Sequence, residues 1–257
     1  MIRILLSCLF LLCAIFTEAR TIYVLAVGIS DYAYIQDLKK TEIDANIFAE
    51  LYKTHTKNVT LLLGAQATHD NILKVLRKTC SQAKEGDVLV FFFSGHGSKG
   101  GLCAYDTKSQ QSTVTYKEIQ QVIHTCRANN KQLFIDACFS GGLRQETSSN
   151  TSTSATAENS FNNNQGVMLF LSSRTNETSQ ENPWADNGFF TQYLLKGIKG
   201  AADTNKDRII TAKEIYSYVS TNVIKRTNGK QHPVMWGKFS DNMRVMNWNG
   251  QMQKNKR

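Results

Sequence analysis

Proline is nearly absent, with two residues in 257 beside 16 glycines. This excludes a collagen-like repeat and a proline-rich spacer. No apolar run reaches the roughly 18 residues that a bilayer-spanning helix needs. The longest, residues 4–16 (ILLSCLFLLCAIF), falls short. None of the six cysteines forms a Cys-x-x-Cys pair, which excludes a zinc ribbon and a redox dithiol of that type. No Gly-x-Gly-x-x-Gly follows the first apolar run, where Gly28 stands alone, so the dinucleotide-binding fingerprint is absent there. The formal charge of +9, from 30 Lys+Arg against 21 Asp+Glu, is scattered along the chain apart from Lys254, Lys256 and Arg257. No basic stripe interleaved with aromatics accompanies it, so the charge is read as solubility, not nucleic-acid binding.

What is present is a globular composition, 41% hydrophobic and 20% charged. The apolar run 4–16 follows Arg3 and precedes Thr17-Glu18-Ala19, the layout of a secretory signal peptide cut after Ala19. The expected product is secreted or periplasmic: one globular domain over 20–248, then a basic tail over 249–257. Cys80, Cys103, Cys126 and Cys138 remain after the cut. The first three are expected to be small buried groups.

Residues 22–29, 59–63, 88–93, 132–135 and 167–171 are short continuous apolar runs, suited to strands covered on both faces. Amphipathic stretches of helical period lie between and after them, at 42–52, 71–83, 116–127, 188–198 and 211–223, with Asp70 and Thr115 as predicted N-caps. This alternation predicts an α/β fold with a parallel sheet wrapped by helices. Residues 145–165 hold no Lys, Arg or Asp and read as a mobile polar loop within the domain. The stretch 233–248 is expected to add a final strand.

In such sheets ligands bind outside the carboxyl ends of the strands. Two of those ends run into glycine-bearing turns, Ser94-Gly95-His96-Gly97-Ser98 and Asp136-Ala137-Cys138-Phe139-Ser140-Gly141-Gly142. Should those strands be neighbours, an imidazole meets a thiol, and a nearby imidazole is the commonest device for making a thiolate.

The two blocks resemble the catalytic blocks of caspase-type cysteine proteases. Asp136-Ala137-Cys138-Phe139-Ser140-Gly141 is nearer the metacaspase and bacterial caspase-like branch than true caspases, which carry Gln-Ala-Cys-Arg-Gly there. The resemblance continues through Arg174, Asn187 to Thr191, Ala201 to Asp203 and Gln231-His232-Pro233. It implies a three-layer sandwich with a mostly parallel sheet and helices on both faces. It also implies an endopeptidase with Cys138 as nucleophile and His96 as base and acid, and an oxyanion hole from the backbone N–H groups of Gly97 and Cys138.

The family pattern further assigns Asp136, Ser94 and Asp44 to the substrate pocket. Carboxylates there favour peptide or protein substrates with Arg or Lys before the cut. An Asp-preferring pocket using Arg174 and a catalytically silent binding scaffold are the alternatives. Arg144, at the edge of the polar segment, is the candidate self-cleavage site. No cofactor is required. Calcium is left open, because Asp203, Asn205, Asp207 and Glu214 stand at positions one, three, five and twelve of an EF-hand-like loop. Position six of that loop holds Arg208 where a glycine is expected. Oligomeric state and natural substrate are not legible.

Overall fold

The computed structural model describes residues 20–98, 100–138, 157, 160–162, 164–174 and 188–248, with Cys138 described by its backbone. The expected signal segment 1–19, the turn 139–142, Arg144, most of 145–165, Asn187 and the tail 249–257 lie outside the described residues.

The chain runs through β1 (Ile22–Gly28), α1 (Thr41–Lys53), β2 (Val59–Leu63), α2 (His69–Gln82) and β3 (Val88–Ser98). A small meander of β4 (Gly101–Leu102) and β5 (Val114–Thr115) leads to α3 (Tyr116–Thr125), β6 (Asn130–Cys138) and β7 (Val167–Leu171). Then come α4 (Phe189–Lys196), β8 (Ile209–Thr211), α5 (Ala212–Arg226), β9 (Val234–Trp236) and β10 (Arg244–Asn247). The main sheet has the order β2-β1-β3-β6-β7-β9. All its neighbours are parallel except β9, which closes the edge antiparallel to β7.

Successive side chains of a strand point to opposite faces, so each apolar run feeds two cores. Leu25, Phe91, Phe93, Leu133 and Leu169 meet Ile72 and Leu76 of α2 and Ile119 and Ile123 of α3 on one face. Val24, Val90, Phe92, Phe134 and Phe170 meet Phe48 of α1, Phe190 and Leu194 of α4 and Val219 of α5 on the other. Each fully buried Phe or Leu contributes roughly 1.5–3 kcal/mol. The result is the expected three-layer α/β sandwich. The chain steps from β1 outward to β2 and then back across to β3, so β1 and β3 flank the point where the direction of winding reverses. In open α/β sheets ligands bind at the carboxyl ends beside such a point.

Several local expectations are corrected. The described parts of the blocks read as turns are strand: β3 continues to Ser98 and β6 to Cys138, because Ser94 to His96 pair with Asp136 to Cys138, and Gly97 and Ser98 with β4. Thr68, not Asp70, caps α2, its side chain accepting from the Asn71 amide. Thr115 caps α3 in a reciprocal box with Glu118. The polar segment is not all solvent-facing loop, since Ala157 and Phe161 are fully buried, Phe161 edge-on to Tyr116. The final stretch supplies two strands, β9 on the main sheet and β10 on β8. Cys80, Cys103 and Cys126 are buried and unbridged, as expected.

Candidate active site

The loop after β1 is tied to itself before it does anything else. Leu38 N donates to Ser30 O at 2.8 Å, Tyr32 N to Asp37 Oδ1 at 2.8 Å, and Thr41 Oγ1 to Ile29 O at 2.6 Å. These bonds carry Tyr32 and Gln36 over the end of β3. There Tyr32 Oη accepts the His96 amide at 2.7 Å, and the two rings lie 5.1 Å apart. Gly95 makes room for this: a Cβ at that position would stand 2.6 Å from Tyr32 Oη.

His96 is 3% exposed. Its Nε2 lies 2.8 Å from the Gln36 carbonyl oxygen. A carbonyl only accepts, so Nε2 carries the proton and Nδ1 keeps a lone pair in the neutral ring. Nδ1 is buried with no partner among the described residues. Burial pushes the imidazole pKa below its ordinary 6.5, against the Gln36 hydrogen bond and the Asp37 charge, which both act upward. The ring is therefore a neutral base at pH 7.

Across the sheet, the register of β3 and β6 sets Ser94 opposite Asp136 and His96 opposite Cys138. Neighbouring strands stand about 4.8 Å apart, so the backbones of His96 and Cys138 are side by side. Gly97, one residue on, pairs with Leu102 of β4. His96 O accepts from Cys103 N at 2.9 Å, which holds this end of β3 against the meander.

A second cluster forms beneath this rim. Ser94 Oγ donates to Asp44 Oδ2 at 3.0 Å, joining β3 to the first turn of α1. Asp136 Oδ2 accepts from both the Thr191 hydroxyl (2.7 Å) and the Thr191 amide (3.2 Å), joining β6 to the first turn of α4. Asp44 and Asp136 are 2% and 8% exposed. They converge on Gly188, where a Cβ would lie 3.1 Å from Asp136 Oδ2 and 3.9 Å from Asp44 Oδ2. Two buried carboxylates thus face a position without a side chain. Arg174 stands exposed just past β7.

The expected residues Asp44, Ser94, His96, Gly97 and Asp136 thus come together with the Cys138 backbone, whereas Arg144 lies outside the described residues. Tyr32 and Gln36 were not singled out from sequence, and Gly188 and Thr191 lay within the resemblance without a role of their own. Tyr32 is 64 positions from its partner and Gln36 acts through a backbone atom, so neither leaves a spacing signal.

The EF-hand-like loop lies apart, between α4 and α5. Arg208 takes φ 65°, the left-handed angle expected of glycine at that place. The Asp203 Oδ2, Asn205 Oδ1 and Asp207 Oδ1 oxygens accept the amides of Arg208, Asp207 and Ile209. Glu214 gives its oxygens to Thr204 and Thr211. Asp203 Oδ1 is buried without a partner in this loop. These side-chain bonds hold the shape of the loop. Among the described residues no group of three His, Cys, Asp or Glu is placed to bind a metal.

No curated protein matches the sequence. Among solved structures, the fold is similar to a protein of Geobacter sulfurreducens at 16% identity, with a TM-score of 0.64 over 88% of this chain and 97% of that one. It is also similar to caspase-1 from Spodoptera frugiperda at 15% identity, with a TM-score of 0.61 over 86% of this chain and 88% of that one. The sequence profile of the caspase domain matches residues 21–243, which spans every element from β1 to the loop before β10. The chain belongs to the caspase-domain family of cysteine peptidases.

Proposed function

We propose that the protein is an exported cysteine endopeptidase that cleaves peptide bonds after Arg or Lys through a Cys138–His96 dyad. The observation that carries the proposal is the register that pairs His96 with Cys138 directly above two buried carboxylates.

In this reading His96 Nδ1 takes the proton of the Cys138 thiol, and the sulfur attacks the scissile carbonyl carbon. The carbonyl oxygen gains the negative charge and is held by the N–H groups of Gly97 and Cys138. As the C–N bond breaks, the proton on His96 passes to the leaving amine. Water then attacks the thioester, giving a proton back to His96; the carboxylic acid leaves and the thiol is restored. The Gln36 carbonyl keeps the imidazole in the Nε2–H tautomer and stabilises the imidazolium between the two transfers.

Specificity follows from charge. A guanidinium entering beside Gly188 meets Asp136 and Asp44 and forms charge-assisted hydrogen bonds that a carboxylate side chain would turn into repulsion. No metal or other cofactor is required by this chemistry. The signal layout at 1–19 supports export. Among the described residues no helix is long and apolar enough to cross a membrane.

The test is a fluorogenic peptide panel with Arg, Lys or Asp before the cut, run with and without calcium, with Cys138→Ala as control. Cleavage after Arg or Lys that vanishes in Cys138→Ala is expected in both conditions. Cleavage after Asp would transfer the pocket to Arg174, and activity in neither condition would leave a binding scaffold. Mass spectrometry of the wild type beside Cys138→Ala tests self-processing. A fragment beginning at Gln145 in the wild type alone is expected if Arg144 is cut; one beginning within 146–165 contradicts the basic preference.

A further inference from the structure

The basic residues are scattered in sequence, yet the fold gathers three of them at the end of the sheet opposite His96. A cavity of about 730 Å³ opens there among Arg20, Asn129, Asn130, Lys238, Ser240 and Arg244. Arg20 leads into β1, Asn130 begins β6, Lys238 lies between β9 and β10, and Arg244 begins β10. From Asn130 to Cys138 is eight strand residues, about 26 Å, so the cavity is remote from the dyad.

Its lining holds no carboxylate. No described acid pairs with Arg20, Lys238 or Arg244. Of the nearby acids, Asp87 is turned to the backbone amides of Thr21 at 3.0 Å and Lys84 at 2.8 Å, Glu85 touches the rim at Asn129 Nδ2 at 3.5 Å, and Asp241 lies between Ser240 and Asn242 without lining the cavity. Arg20 is held in place through Nε, which donates to Gly86 O at 3.2 Å, and its terminal N–H groups remain for a ligand. Arg244 is pinned by its backbone: its carbonyl accepts from Asn130 Nδ2 at 2.7 Å and from Gln132 Nε2 at 3.0 Å, both residues being buried. Partial burial and the neighbouring Arg244 charge lower the Arg20 pKa, as expected for two guanidiniums with no anion between them.

We infer that this cavity binds a small, multiply charged phosphate ester or polyphosphate. Guanidinium forks match phosphate oxygens bidentately, and Lys238 adds a point charge. Three cations set around such a volume exceed what a single carboxylate would neutralise. A bound polyanion would bridge the lead-in to β1 and the β9–β10 segment, cancelling the Arg20–Arg244 repulsion. In a chain cut after Ala19, the new α-amino group of Arg20 would add a fourth positive charge at the same place.

The test uses inorganic triphosphate as probe, titrated calorimetrically into the whole protein at about 0.15 M salt, where surface attraction is largely screened. One saturable site is expected, with a rise of a few degrees in Tm at saturation. Arg20→Gln, Lys238→Gln and Arg244→Gln should each weaken binding about tenfold or more, the loss of one charge-assisted contact. Lys74→Gln, on the exposed side of α2, should leave binding unchanged. Phosphatidylcholine vesicles with and without a phosphoinositide separate the sources. Co-flotation competed by triphosphate assigns the site to a lipid headgroup, and triphosphate binding without flotation assigns it to a soluble phosphate. Absence of saturable binding, or equal weakening by Lys74→Gln, overturns the inference.

Discussion

Thr191 binds a single oxygen of Asp136 twice, through its hydroxyl at 2.7 Å and its amide at 3.2 Å. Asp136 therefore supplies from β6 the carboxylate cap that Gly188, with no side chain, cannot supply to α4. The same bonds fix the direction in which the carboxylate faces Gly188. Thr191→Val keeps the amide bond and the shape but removes the hydroxyl. Hydrogen bonds to charged groups contribute about 1.5–3 kcal/mol. The expected outcome is a rise of about tenfold in KM for an Arg peptide with a smaller change in kcat. An unchanged KM would reduce Thr191 to a helix cap.

Asp136→Asn separates charge from capping. Asn presents a similar acceptor to Thr191, so the fold should survive with a small loss in Tm. Removing one partner of a buried charge pair costs about 2–5 kcal/mol, so kcat/KM for Arg peptides should fall by about a hundredfold or more. A variant that still prefers Arg over neutral residues as the wild type does would refute the carboxylate pocket.

Tyr32→Phe leaves the ring beside His96 and removes the oxygen that accepts its amide. The buried N–H is then left without that partner, at a cost of about 1–3 kcal/mol. Denaturant unfolding should show that loss. Activity at saturating substrate should also drop severalfold, because the β3 extension carrying His96 is loosened.

Acidification is expected to act through His96. Burial lowers its pKa below 6.5, so the ring stays neutral as the pH falls past the ordinary histidine value. The acid limb of kcat/KM should accordingly lie below 6.5, and a limb at or above it would contradict the burial argument. For stability the sign is that of a depressed group. The unfolded chain binds the proton first, so the contribution is intact above 6.5 and declines as the pH drops toward the lower folded value.

His69 behaves oppositely. Its burial acts downward, but hydrogen bonds to Asp70 and Glu118 and their charges raise its pKa above 6.5. Nε2 lies 3.2 Å from Glu118, itself the partner of Thr115 in the cap of α3. The stabilisation is full below 6.5 and lost as the pH rises through the raised value. The pair is partly solvated, so it contributes only about 0.5 kcal/mol. His69→Ala should therefore lower stability at pH 5.5 more than at pH 8.5, and a loss that grows with pH would disprove the linkage.

The strands and helices were legible because burial on two faces writes itself as continuous apolar runs such as Val88 to Phe93, and burial on one face as helical period. Asp136, Ser94 and His96 were legible because each lies within a short block at a strand end. The extension of β3 to Ser98 was hidden. Ser94-Gly95-His96-Gly97 has turn composition, and only pairing with β6 up to His96 and with β4 beyond it makes it strand. Phe161 was likewise masked by a polar surrounding that says nothing of the Tyr116 ring it reaches.

The amino-acid order by itself determined the α/β class, the two blocks and the residue types that a thiol peptidase needs, since those depend on neighbours a few positions apart. The tertiary structure alone decided which partners complete them. Tyr32 and Gln36 reach His96 across 64 and 60 positions, Thr191 reaches Asp136 across 55, and Arg20 meets Arg244 from the other end of the chain. Such meetings depend on strand order and register, which are set by how two cores close around one sheet and leave no periodic trace along the chain.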